Sequence, residues 1–136
     1  MLATLRSAGS RLPFLARPAV TPPVLLVLSH APFEGDVTWN ALRLAGALAG
    51  RKVPVRIFVM NDAIDLVRQG AMPEGAEFDL QAMLRELLAR GARIKICTTC
   101  VTRCGLHSGD LLPEAILSSM ADLAAWVVES DRVVTV

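Results

Sequence analysis

From Val24 onward the apolar positions fall into blocks of two alternating kinds. "VLLVLS" (Val24–Ser29) is an unbroken apolar run, the pattern of a strand buried on both faces. "VPVRIFVM" (Val53–Met60), "ARIKIC" (Ala92–Cys97) and the terminal "RVVTV" (Arg132–Val136) read the same way. Between them, apolar residues recur at helical spacing. Val37, Ala41, Leu44, Ala45 and Leu48 share one face, with Asp36 placed to cap the start and Gly50 to end the helix. Asp62 is placed to cap a short helix ending near Gly70. A second stripe, Leu80, Met83, Leu84, Leu87 and Leu88, lies between a capping Asp79 and Gly91. Thr98 or Thr99 offers an N-cap for a short helix that stops at Gly105. Pro113 suits the first turn of a last long helix, with Ile116, Leu117, Met120, Leu123, Ala124 and Val127 inward.

Strands alternating with helices give βαβ units, hence a parallel sheet covered on both faces. In such sheets ligands gather at the carboxyl ends of the strands. Three segments meet that condition: Ser29 to Pro32, Asn61-Asp62, and Cys97 with the residues just after it.

Composition narrows the classes. The 136 residues suit one domain, and 53% of them are hydrophobic against 20% charged. A chain this apolar leaves much greasy surface as a monomer, which points to an oligomer. No apolar run approaches the roughly 18 residues of a membrane span, so no membrane partner is expected. Residues 1–23 carry Arg6, Arg11 and Arg17 and no acid. Taking these three from the 14 basic residues leaves 11 against 13 acids, a net charge of −2 for the rest. That is no nucleic-acid surface, and the six aromatics are scattered. The N-terminal stretch reads as a disordered extension, a wrong start or an organellar transit peptide. Pro13, Arg17 and Pro18 interrupt any secretory signal. The expected organisation is therefore an extension over 1–23 and a single domain over 24–136.

All three cysteines stand in "CTTCVTRCG" (Cys97–Gly105). An odd number packed this tightly does not make a secreted disulfide scaffold, and a reducing, cytoplasmic setting is expected. Cys100 and Cys104 are four residues apart, share a helix face and could simply pack. Cys97 ends a strand before a helix start, a position that can stabilise a thiolate. Cys97, Cys100, Cys104 and His107 supply four potential metal ligands. However, they are crowded along one short segment, which cannot easily surround a tetrahedral ion, so no metal is expected. The Cys97–Cys100 pair also has the C-x-x-C spacing of a dithiol switch. His30 could be a base, a hydrogen-bond partner or an ordinary loop residue. Glycine-rich phosphate loops, nucleophile elbows and H-E-x-x-H are absent, and no cofactor is expected.

Together these segments resemble a known family. A first strand meets a His/Pro loop, "ALRLAGALA" (Ala41–Ala49) comes next, a second strand runs into "VMNDAI" (Val59–Ile64), and a third runs into Cys-x-x-Cys with Gly105 eight residues beyond Cys97. This is similar to the DsrE/DsrF-like family, especially its YchN-like branch. The resemblance implies a three-layer α/β/α sandwich around a mainly parallel five-strand sheet, assembled as homotrimers or homohexamers. It implies a sulfur carrier that holds sulfane sulfur as a persulfide on Cys97 and passes it between donor and acceptor proteins. Cys100 matches the second cysteine of the YchN-like branch, and Asp62 matches the Asp-Ala after the second strand. The family often has Arg directly before the glycine; here Cys104 stands there, with Arg103 one place earlier, so a local thiol replaces a charge. His30, Asp62 and Cys104 are carried forward as binding candidates, and Cys97 and Cys100 as the reacting pair. The rival readings are an oligomeric redox-sensing or binding protein using the Cys97–Cys100 dithiol, and a metal-binding protein.

Overall fold

The computed structural model describes residues 21–136. Residues 1–20, which hold most of the expected extension, lie outside the described residues. Five parallel strands form one sheet: β1 (Val24–Leu28), β2 (Val55–Val59), β3 (Arg93–Cys97), β4 (Leu117–Ser118) and β5 (Arg132–Thr135), in the order β4-β3-β2-β1-β5. The runs read as strands from their unbroken apolarity take that form, and β1 is buried along its whole length.

The two faces are covered unequally. Leu26 and Leu28 of β1, Ile57 and Val59 of β2, and Ile94 and Ile96 of β3 point to one side. There they meet α1 (Val37–Gly50), α2 (Leu80–Ala89) and the 3-10 helix Asn61–Val67. Leu25, Val27, Phe58 and Cys97 point to the other side, against Leu123 and Trp126 of α4 (Met120–Glu129). This is the α/β/α arrangement, with its thinner layer on the Cys97 side. Trp126 docks α4: Arg56 and Lys95 place their cationic groups 5.3 and 4.6 Å from its ring, and Arg56 also reaches Glu129 at 2.7 Å. Such cation–ring contacts contribute about 0.5–1 kcal/mol each where exposed.

Several local expectations change. The last helix starts at Met120, not near Pro113, because Leu117–Ser118 pairs with β3 as the outer strand β4. Ile116, Leu117, Met120 and Val127 are consequently exposed rather than inward. On α1 the buried face is Thr38, Ala41, Leu42 and Ala45, and Val37 and Leu44 face outward. Asp36 holds the N-cap position there without a side-chain bond. Arg51 follows Gly50, and Lys52 takes the left-handed turn at φ 65°. Asp79 does cap α2, its carboxylate accepting from Ala82 N–H at 2.9 Å.

Candidate functional site

The parallel arrangement puts all carboxyl strand ends on one edge. Across it, in order, stand Ser118 at the end of β4 with Ser119 after it, Cys97 at the end of β3, Met60-Asn61-Asp62 after β2, and Ser29-His30 after β1. Cys97 and Ser118 are register partners.

Cys97 is itself the N-cap of α3 (Thr98–Arg103), a role expected of Thr98 or Thr99. Its Sγ accepts from the Cys100 N–H at 3.3 Å. The side chain points into the α4 layer and is only 6% exposed. Burial pushes the Cys97 thiol up, and the neighbouring Cys100 thiol pushes it further in the same direction. The amides of Cys100 and Thr99 pull the other way and lose. Burial thus works against the thiolate that the position at the helix start suggests.

Cys100 is half-buried and packs against both core clusters. The backbone N–H of Asn61 donates to its sulfur at 3.3 Å, and Asn61 Oδ1 lies 3.9 Å from the same sulfur. Asn61 can aim this amide because its backbone is left-handed, φ 52°, a region that asparagine tolerates better than most residues. Cys104 is exposed and does not join the core. Gly105 comes next in the left-handed region, φ 73°, and turns the chain away.

Two clefts flank Cys100. One, of about 480 Å³, is lined by Ser29, Asn61, Asp62, Cys100, Arg103 and Cys104. The other, of about 380 Å³, runs from Met60 and Asn61 past Cys97, Cys100 and Arg103 to the hydroxyl residues Thr99, Ser118 and Ser119, with Met120 at its rim. Asp62 thus reaches the thiol edge, but as part of the 3-10 helix; Met60 holds the N-cap position. His30 lies two strands from Cys97, its Nδ1 2.9 Å from the Ala31 carbonyl oxygen, and lines neither cleft. Among the described residues, no three His, Cys, Asp or Glu side chains converge as a metal site. No helix of the described residues is long and apolar enough to cross a membrane.

Sequence reasoning missed Ser118 and Ser119 because it placed them inside a helix. The spacing Ser119-x-x-Asp122 carried the signal: Ser119 Oγ accepts from Asp122 N–H at 3.1 Å and caps α4. Ser118 donates to Asp122 Oδ2 at 2.6 Å, which with Lys95 holds that carboxyl below the ordinary carboxylate range.

The DsrE/DsrF-like family profile matches residues 23–136. The chain belongs to the DsrE/DsrF-like family. The protein YchN of Escherichia coli strain K12 is 31% identical to this chain over 114 residues, covering 82% of this chain and 97% of YchN. The protein MK0008 of Methanopyrus kandleri is 32% identical over 111 residues, covering 82% of this chain and 91% of its own. The crystal structure of YchN from E. coli superposes with a TM-score of 0.78 at 29% identity, over 85% of this chain and all of that one. The α/β fold of this chain thus matches that of a solved structure.

Proposed function

We propose that this protein is a sulfur carrier that holds sulfane sulfur as a persulfide on Cys97. The observation that carries the reading is the Cys97–Cys100 pair at the carboxyl edge: a buried sulfur reached through one cleft, with a second thiol lining the same cleft. In the transfer, the Cys97 thiol loses its proton to solvent and the thiolate attacks the outer sulfur of a donor. A new S–S bond forms, and the donor's own bond to that sulfur breaks, its electron pair leaving with the donor. Burial then shields the terminal sulfur from bulk thiols until an acceptor attacks it. Membership of the DsrE/DsrF-like family supports the reading, since that family is often linked to sulfur relay.

The partners on this reading are sulfur donor and acceptor proteins and further copies of the chain, as homotrimers or homohexamers. Single-helix cover of the α4 side, with Val127, Val128 and Val133 exposed there, supports self-association.

A second reading is a redox sensor in which Cys97 and Cys100 close a disulfide. The C-x-x-C spacing and the shared cleft of the two thiols favour it. Peroxide would accept the two electrons and two protons and leave as water.

Mass spectrometry after treatment with a sulfane-sulfur donor tests the first reading. The protein should gain sulfur, Cys97→Ser should not, and Cys100→Ser should keep the added sulfur longer, because Cys100 can attack the inner sulfur and expel sulfide. Uptake by Cys97→Ser with none by Cys100→Ser would reverse the assignment. A disulfide formed with peroxide, and no sulfur uptake from any donor, would favour the sensor.

A further inference from the structure

The cleft that exposes Cys97 has one charged lining residue, Arg103, the last residue of α3. Its other polar walls are the hydroxyls of Thr99, Ser118 and Ser119 and the amide of Asn61. Among the described residues no carboxylate pairs with Arg103, as is also true of Arg43, Arg51, Arg90 and Arg93, but Arg103 alone of these five lines the cleft. Asp62 lines the neighbouring cleft together with Arg103 but forms no ion pair with it, and Asp122 is engaged by the Ser118 hydroxyl and by Lys95. Ser119 accepts from the Asp122 amide, which leaves its own O–H proton to donate. A guanidinium beside hydroxyl donors is the chemistry that recognises a small oxyanion. Here it opens onto two sulfurs.

We infer that Arg103 binds the oxyanion end of a small anionic sulfane donor of the thiosulfonate class, with its outer sulfur directed at Cys97. This rests on the carrier reading and adds a small-molecule donor to the protein donors of that reading. With thiosulfate the step balances. The Cys97 thiol gives its proton to solvent, and the thiolate attacks the outer sulfur. The Sγ–S bond forms as the bond to the sulfonate sulfur breaks, and sulfite leaves with the electron pair. Two anions must meet in this step, and Arg103 offsets their repulsion.

The test compares initial rates of sulfur uptake from thiosulfate and from dispersed elemental sulfur, a neutral donor, with released sulfite measured alongside. The full chain should load from both and release one sulfite per sulfur taken from thiosulfate. Arg103→Gln should lower the thiosulfate-to-elemental-sulfur rate ratio roughly ten- to a hundred-fold, the usual effect of losing a hydrogen bond to a charged group. Arg103→Lys should recover part of it. An unchanged ratio overturns the inference, as does a full chain that loads from elemental sulfur but not from thiosulfate; in both cases the carrier reading stands. A chain that loads from neither overturns both.

Discussion

The amide of Cys100 donates to the Cys97 sulfur across 3.3 Å, so the buried thiol caps the same helix that carries its partner. One contact therefore does two things. It fixes the Cys97 rotamer at the sheet edge, and it holds the second thiol close enough to influence the first.

The first prediction concerns pH. Burial, then the Cys100 thiol, raise the Cys97 pKa. In the Cys104→Ser protein, alkylation of Cys97 by iodoacetamide should be slow at neutral pH and should climb beyond about 8.5, the value of a free thiol. In Cys100→Ala/Cys104→Ser the midpoint should fall but stay above that of a free thiol, because desolvation remains. Stability has the same sign. The folded state prefers the protonated thiol, so this contribution is present below about 8.5 and is lost as pH rises through the raised folded value. A midpoint that moves up on removing Cys100 would contradict the assignment of causes.

The second prediction separates capping from chemistry. Cys97→Ser keeps an acceptor for the Cys100 amide and should fold with little change in its urea midpoint. Cys97→Ala leaves that amide without its partner and should lose about 1 kcal/mol, the usual worth of a side-chain cap. Equal stability of the two variants would mean that the sulfur contributes nothing as a cap.

Much of this arrangement is legible in the sequence. Three long apolar runs and their spacing announce the parallel sheet, and the parallel sheet announces the edge where Cys97 and Asn61 meet. The parts that escape have physical causes. A two-residue strand such as Leu117–Ser118 has no periodicity to read; it exists because the end of β3 offers unpaired backbone groups. The inward face of α1 is chosen by the sheet beneath it, which takes Thr38 and Leu42 and leaves Leu44 outside. The fate of the Cys97 thiol depends on how much water α4 removes, which local sequence does not encode. His30 shows the converse: its place on the edge is legible, but strand order separates it from the thiols.

The third prediction concerns assembly. Val128 is 85% exposed on α4, and Val133, the register partner of the buried Leu25, is 42% exposed on the same side of the sheet. Sedimentation at micromolar concentration should show an oligomer, and Val128→Glu/Val133→Glu should move it towards the monomer while the circular dichroism spectrum is retained. A stable monomer of the unmodified chain would sink the self-association reading.

The last prediction turns on Asn61, whose left-handed backbone aims an amide at the Cys100 sulfur. For an ordinary side chain that conformation costs about 1–2 kcal/mol. Glycine adopts it freely and keeps the N–H, so Asn61→Gly should hold its urea midpoint, and Cys100 should be alkylated as in the unmodified protein. Asn61→Val keeps an amide but bears the full steric penalty, since β-branched residues fit this region worst. It should either lose about 1–2 kcal/mol or escape to an extended backbone. Escape turns the amide away from the Cys100 sulfur and removes a hydrogen bond that holds that side chain in place, so the rate of Cys100 alkylation should change. The two readouts separate the cases: a stability loss with unchanged alkylation means a strained but intact turn, whereas an altered rate means that the amide has moved. If Asn61→Val matches Asn61→Gly in both, the left-handed turn at Asn61 does not position Cys100.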